Sequence, residues 1–186
     1  MSTDEMMNNG KTKMEKALNQ LKKDFATLRS GRANPMILDK VQVDYYGVPT
    51  PLRQMSQVTV QDGTTLVIAP FDKTILKDIE KAVIKADLGI TPNSDGTVLR
   101  LPFPPLTEDK RKEIAKEVKK FGEEAKVAVR NIRREMTDEL KKLEKSENMS
   151  EDSVKDSQDS IQKMTDKFIK NVDDACAEKE KEVLTV

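Results

Sequence analysis

The sequence predicts an α+β protein, an elongated antiparallel three-helix bundle into which a small α/β module is inserted. Three observations lead there. Three long stretches carry apolar residues at steps of three and four, the spacing that lines one face of an α-helix. Between Ala33 and Leu106 the period shortens toward two, as in half-buried strands. Glycine and proline stand at both borders of that middle region, Gly31 and Pro35 at its entry and Pro102, Pro104 and Pro105 at its exit. Such residues break helices and stiffen the chain. The bundle is therefore expected from residues 1–30 with 107–186, and the inserted module with its two linkers from residues 31–106.

The first ten residues carry no clear pattern and are expected to fray; a helix is read from Lys11 onward. Its seam is Met14, Leu18, Leu21, Phe25 and Leu28, and Arg29-Ser30-Gly31-Arg32-Ala33-Asn34-Pro35 should end it. Within the module, Val41 to Tyr45 alternates like a strand, and Gly47-Val48-Pro49-Thr50-Pro51 reads as a turn that stops it. Val58-Thr59-Val60 and Leu66-Val67-Ile68 flank Asp62-Gly63, a hairpin signal. Asp72 is placed to cap a helix with Leu76, Ile79, Val83 and Ala86 on its apolar face. Leu88-Gly89-Ile90 and Val98 to Leu101 are short strand candidates around the turn Asn93-Ser94-Asp95-Gly96. The module thus reads as a β/α/β sandwich-like layer arrangement. Ser150, followed by Glu151 and Asp152, is the expected N-cap of the last helix, whose buried face is Val154, Ile161, Met164, Phe168, Val172, Ala175 and Val183.

Composition removes several function classes. Charged residues are 35% of the chain and aromatics 4%, against roughly 25% charged in ordinary globular proteins, so little of it is deep core and much is exposed helix surface. Histidine is absent and cysteine occurs once, at Cys176, which excludes His-dependent triads, imidazole zinc sites and an intramolecular disulfide. Gly10-Lys11-Thr12 is not a phosphate loop, because the position five residues before Gly10 is Glu5. No enzyme chemistry, catalytic residue, metal or cofactor is expected. Met1 is followed by Ser, Thr, Asp and Glu, without a signal peptide or an apolar run long enough to span a bilayer. A cytoplasmic protein is expected, or the processed form of a plastid-stroma or mitochondrial-matrix protein.

The chemistry concentrates on the middle of the longest helix, read over residues 107–143 and roughly 55 Å long at 1.5 Å per residue. Ile114, Val118, Phe121, Ala125, Ala128, Ile132, Met136, Leu140 and Leu143 form its apolar stripe. Lys112, Lys119, Lys126, Arg130, Arg133 and Lys141 fall on one flank, with Glu123 as the exception among them; Glu113, Glu117, Glu124, Glu135 and Asp138 fall on the other. A solvated surface of i,i+4 pairs would look similar. The residue choice argues for more: the chain has 33 basic residues, yet three of its few arginines, Arg130, Arg133 and Arg134, stand within five positions. Guanidinium forks grip phosphate oxygens bidentately and stack on bases as ammonium groups do not, which points to nucleic acid. With a formal net charge of +0, such contact must be local rather than a basic coat. A structural or chaperone-like coiled-coil protein is the competing reading, but it needs neither the inserted module nor the arginine cluster.

Several segments resemble the ribosome recycling factor family, in its order and spacing. They are Arg29 to Pro35, Tyr45-Tyr46-Gly47-Val48-Pro49-Thr50-Pro51-Leu52, Asp87-Leu88-Gly89-Ile90-Thr91-Pro92-Asn93-Ser94, Pro104-Pro105-Leu106-Thr107-Glu108 and Val127 to Arg134. The resemblance covers nearly the whole chain except residues 1–10. It implies an L-shaped protein with the bundle as the long arm. It also implies a monomer that binds the large ribosomal subunit through its ribosomal RNA after termination. With elongation factor G and GTP hydrolysis, such a protein helps separate the subunits. Arg133 matches a family arginine important for the RNA contact. By their clustering on the helix flank, Lys126, Arg130 and Arg134 are assigned with it, and Arg29 and Arg32 join the same RNA-facing set, with a capping or linker role as their alternative. Arg29, Ser30, Gly31, Arg32, Pro102, Pro104 and Pro105 are the expected hinge.

Overall fold

The first helix is capped at Ser2. Its backbone N–H donates to Glu5 Oε2 at 2.8 Å and its hydroxyl accepts from the Glu5 N–H at 3.1 Å, a reciprocal capping box that satisfies two donors at the start of a helix. Helix α1 therefore spans Thr3–Thr27, and the expected fraying of the first ten residues is wrong. Met6 and Gly10 extend the seam of Met14, Leu21 and Phe25 toward the N-terminus, and Leu18 is only half-buried. The computed structural model describes residues 1–184. It divides into two compact units, one of Met1–Phe25 with Ala115–Glu182, the other of Ala26–Ile114 with, among the described residues, Val183 and Leu184.

The first unit is a three-helix bundle of α1, α4 (Glu108–Ser146) and α5 (Glu151–Leu184). Thr107 Oγ1 accepts from Lys110 N–H and Ser150 Oγ from Ser153 N–H, so both long helices start on hydroxyl caps followed by acidic first turns. Gly10 meets Met136 and Lys13 pairs with Glu135, so α1 and α4 run antiparallel; Gly122 meets Cys176 and Lys126 pairs with Asp173, so α4 and α5 do too. The deepest positions of α4 are Val118, Val129 and Leu140, while Phe121, Ala128 and Ile132 are half-buried. The central place of Val129 departs from the expected stripe. With a partner helix on either side of α4, the sector between the two contacts is buried most. On α5, Thr165 is buried where no apolar residue stands, its hydroxyl donating to the Ile161 carbonyl at 2.8 Å.

Gly122 allows α4 and α5 to approach closely. A Cβ there would lie 2.5 Å from Cys176 Sγ, so the half-buried thiol occupies the space a side chain would need. Burial also pushes this thiol above its ordinary pKa, which suits a packing role.

The second unit contains a β-ribbon, a four-stranded sheet and a covering helix. Strands β1 (Gln42–Tyr45) and β2 (Val48–Pro51) pair antiparallel through a two-residue turn, with Tyr46 at φ 49° and Gly47 at φ 83°. The stretch expected only to stop β1 is thus a strand itself. Its prolines are tolerated because a two-stranded ribbon consists of edges. The closing pair Tyr45 and Val48 puts Pro49 and Pro51 at alternate positions whose nitrogens face away from the partner. A short helix α2 (Leu52–Met55) leads to β3 (Ser56–Gln61) and β4 (Thr65–Pro70), joined by the three-residue loop of Asp62, Gly63 and Thr64. Asp72 accepts from Thr74 N–H and caps a 3₁₀ turn that continues into α3 (Leu76–Lys85). Leu76, Ile79 and Val83 are buried, whereas Ala86 is an exposed C-cap.

The remaining strands are β5 (Asn93–Ser94) and β6 (Leu99–Pro102), in the sheet order β3-β4-β6-β5. Leu88-Gly89-Ile90 is not a strand: the residues after α3 form an irregular turn with Asp87 at φ 49° and Gly89 at φ 71°. Positive φ at both positions cannot continue a pleat. Leu66 and Ile68 of β4, Leu99 and Leu101 of β6, Val43 of β1, and Ile79 and Val83 of α3 share one apolar core. Full burial of each contributes about 1.5–3 kcal/mol.

The β5–β6 connection turns on Asp95. Its Oδ1 accepts from the Val98 and Thr97 N–H groups, both at 2.9 Å, and from Thr97 Oγ1; its Oδ2 accepts from Arg100 Nη1 at 2.7 Å. The Val98 N–H above all, then Thr97, then Arg100 hold this carboxyl well below the usual carboxylate range.

Two outcomes follow from these contacts. Gly122→Ala should destabilise the bundle by about 1–3 kcal/mol in urea denaturation. Adding Cys176→Ala should remove the clash and reverse the sign, because alanine favours a helix over glycine by about 1 kcal/mol; a double variant no more stable than the single one would disprove the packing account. For Asp95 the folded pKa is the depressed one, so its stabilisation is complete above the ordinary aspartate value of about 3.9 and is lost as pH falls toward the folded value. Asp95→Ala should therefore lower the melting temperature of the second unit at pH 7 and flatten its decline on acidification. Parallel curves for both proteins from neutral to acid pH would contradict this.

Candidate nucleic-acid interface

The arginine cluster is built by α4 alone and walled by α5. At this level of α4, Arg130 and Arg134 project from the exposed face while Arg133 is half-buried toward α5. Arg133, Arg134, Thr137 and Lys141 face Gln158 and Gln162 across an open hollow of about 500 Å³, with Asp138 and Ile161 completing its lining. Three cations thus border one concavity whose other wall offers neutral amides. Such a surface can take a phosphodiester in the guanidinium forks and a base edge or ribose hydroxyl on the amides.

Arg133 Nη1 donates to Gln162 Oε1 at 3.2 Å, and Gln162 Nε2 donates in turn to Asp166 Oδ1 at 2.8 Å. Gln158 and Gln162 carry no charge, and charge patterning, the signal that found the arginines, passes over them. The trace they leave in sequence is spacing: Gln158, Gln162 and Asp166 follow one another at i,i+4 along one line of α5.

Lys126 is placed differently. Its Nζ pairs with Asp173 of α5 at 2.5 Å and with Glu123 at 3.6 Å. The hydrogen bond to Asp173 leads the causes that push its pKa above the ordinary lysine value. It therefore joins α4 to α5 and is not brought into the hollow.

Arg29 and Arg32 lie in the second unit. Arg29 Nη2 donates to the Pro104 carbonyl at 2.6 Å, joining the two linkers, and its Nε is buried without a partner among the described residues. Burial pulls its pKa below the ordinary guanidinium value. Arg32 is exposed, as is Gly31, while Ser30 is buried. Helix α1 ends before both Gly31 and Pro35, and Asn34 Nδ2 donates to the Ala26 carbonyl at 3.3 Å. Pro102 is the last residue of β6, paired with Thr65. Ala33 N–H donates to Gly63 O and Phe103 N–H to Thr64 O, so both linkers are hydrogen-bonded to the β3–β4 loop.

A second hollow, about 350 Å³, lies between α1 and α4 beside Met6, Gly10 and Met136. Of its two lysines, Lys13 and Lys16, Lys13 pairs with Glu135 at 2.7 Å; Glu139 lines it as well, and no arginine does. It lacks the guanidinium forks of the α4–α5 hollow.

Residues 21–184 match the family described as ribosome recycling factor. The chain belongs to the ribosome recycling factor family. It is 53% identical to the ribosome-recycling factor of Bacillus licheniformis over 186 residues, all of both chains. With that of Listeria monocytogenes serotype 4a it shares 54% identity over 182 residues, 98% of each. A solution structure of ribosome recycling factor superposes with a TM-score of 0.79 at 34% identity, covering 100% of this chain and 99% of that one. A second structure contains T. thermophilus ribosome recycling factor and E. coli elongation factor G bound to the E. coli post-termination complex. Its factor matches with a TM-score of 0.68 at 44% identity over the whole of both chains. Among the described residues of this family member, no helix is long and apolar enough to cross a membrane.

The placement of Lys126 generates a prediction. Lys126→Met and Asp173→Asn should each lower bundle stability by about 0.5–1 kcal/mol, discounted for the half-exposed Asp173, and should be non-additive together. Since the folded pKa of Lys126 is raised, the contribution is complete below the ordinary lysine value and disappears as pH rises through the folded one. If Lys126→Met instead leaves stability untouched and weakens RNA binding as strongly as loss of an arginine, Lys126 belongs to the interface.

Proposed function

We propose that this chain is a ribosome recycling factor acting in the bacterial cytoplasm as a monomer. The bundle binds large-subunit ribosomal RNA through the α4–α5 hollow, where Arg133, Arg134 and Lys141 converge, and through Arg130 on the exposed face of α4 one turn away. Elongation factor G with GTP then acts on the same post-termination ribosome, the subunits separate, and mRNA and tRNA are released for reuse. The chain contributes no catalytic group; GTP hydrolysis belongs to the elongation factor. The observation that carries this reading is the match of the whole chain to a factor held with elongation factor G on a post-termination complex. The concave cluster of three cations beside two neutral amides supports the choice of surface.

Hinge motion of the inserted module at its two linkers is the second part of the proposal. Ala33 and Phe103 are hydrogen-bonded to the β3–β4 loop, so the backbone from there inward should move as one body with the sheet. The turning residues are then Arg29, Ser30, Gly31 and Arg32 on one linker and Pro104 and Pro105 on the other. Pro102 moves with β6, and the Arg29–Pro104 hydrogen bond couples the two sides.

A subunit-splitting assay on post-termination ribosomes, with elongation factor G and GTP omitted in turn, tests the function: splitting should require all three. Arg133→Ala should leave helicity intact and cost about 1–3 kcal/mol in large-subunit binding. It should also flatten the salt dependence by roughly one unit of slope. Unchanged affinity in a helical Arg130→Ala, Arg133→Ala, Arg134→Ala triple variant would overturn the assignment of the surface.

A further inference from the structure

The contacts behind Arg133 define a direction as well as a distance. A glutamine amide has an accepting end and a donating end of nearly equal shape, so sterics alone would allow Gln162 to sit either way round. Asp166, one turn along α5, removes that freedom. Its carboxylate only accepts, so the Gln162 NH₂ turns to it at 2.8 Å, and the carbonyl end is left facing α4. There it meets a guanidinium, which only donates, at 3.2 Å. The reverse orientation would oppose NH₂ to guanidinium and carbonyl to carboxylate, and both bonds would be lost.

Gln162 is suited to hold a cation that must still bind an anion. It uses one of the five guanidinium N–H donors and leaves the rest for a phosphate fork. Being neutral, it does not cancel the charge, in contrast to Asp173, which pairs directly with Lys126. Placing the arginine beforehand also removes part of the rotamer entropy that binding would otherwise cost.

We propose that Gln162 and Asp166 are positioning residues for Arg133, a relay from α5 that presets the guanidinium for RNA. The inference rests on the reading that Arg133 contacts ribosomal RNA. It gives Asp166 a role opposite to what its charge alone suggests: an acidic residue near a polyanion site should weaken binding, whereas an orienting residue strengthens it.

Equilibrium binding of the full chain to isolated large ribosomal subunits tests the relay. The variants are Arg133→Ala, Gln162→Leu, Gln162→Met, Asp166→Asn and each paired with Arg133→Ala, all checked for helicity. Each glutamine variant should weaken binding by roughly threefold to tenfold, the effect of losing one ordering hydrogen bond. Asp166→Asn should weaken it less but in the same direction, and none should add to Arg133→Ala. Tighter binding by Asp166→Asn would show that it acts through charge and overturn the relay. Unchanged binding by both glutamine variants, or losses that persist in full without Arg133, would overturn it as well. Wild-type affinity in Arg133→Ala would remove the underlying reading and the relay with it, and that single variant distinguishes this failure from the others.

Discussion

Both ends of the inserted module are held by one three-residue loop. An insertion obliges the chain to leave a helix and return to one, and each crossing exposes backbone groups that no regular element satisfies. Here Ala33 N–H reaches Gly63 O and Phe103 N–H reaches Thr64 O, so the β3–β4 loop receives the entering and the leaving strand side by side. Gly63 can turn this loop because it adopts φ 69°, a conformation that costs glycine little. The Arg29–Pro104 bond joins the same two strands further out. The sheet is thus closed off at the place where the chain enters and leaves it, and this allows a small unit to keep its own core while interrupting a bundle.

The bundle solves a different problem, since a chain with 36% hydrophobic residues and 35% charged ones has few side chains to bury. Its seam is thin and depends on close approach. Gly10 against Met136 and Gly122 against Cys176 bring the helix backbones near enough for methionine and cysteine to fill the gaps, which flexible or small sulfur-containing side chains do well. Leucine-rich seams would hold the helices farther apart and require more apolar surface.

Much of this was legible beforehand. Helical periodicity gave three helices, the hairpin at Asp62-Gly63 and the Asp72 and Ser150 caps were visible, and arginine in place of lysine singled out Arg130, Arg133 and Arg134. What escaped depends on context. The N-terminal helix start was written in Ser2 and Glu5, but two polar residues mark a capping box only when the following turn is known to be buried. Strand β2 was hidden by its prolines, whose effect depends on whether an N–H faces a partner. Val129 replaced its neighbours at the centre of α4 because burial on a helix with two partners depends on where both of them pack. Gln162 was invisible because its meaning lies in an amide orientation set between two helices, and Lys126 looked equivalent to the arginines until Asp173 was placed opposite it.

The division between Lys126 and Arg133 bears on how such a protein can bind and still let go. With a formal net charge of +0, it has no long-range field to hold it on a polyanion. Lys112 and Lys126 of its basic flank are paired with carboxylates, while Arg133 and Lys141 meet Arg134 around a concavity whose far wall is uncharged. On the proposed reading, in which three arginines meet phosphates, counterion release gives a shallow salt dependence, on the order of two to three units, far below that of proteins coated in lysine. On that same reading, affinity comes from fit at short range, from preset guanidinium forks rather than from charge in bulk. Attraction of the kind proposed falls off within a few ångströms of displacement, so a modest movement imposed by a partner would weaken the hold on RNA.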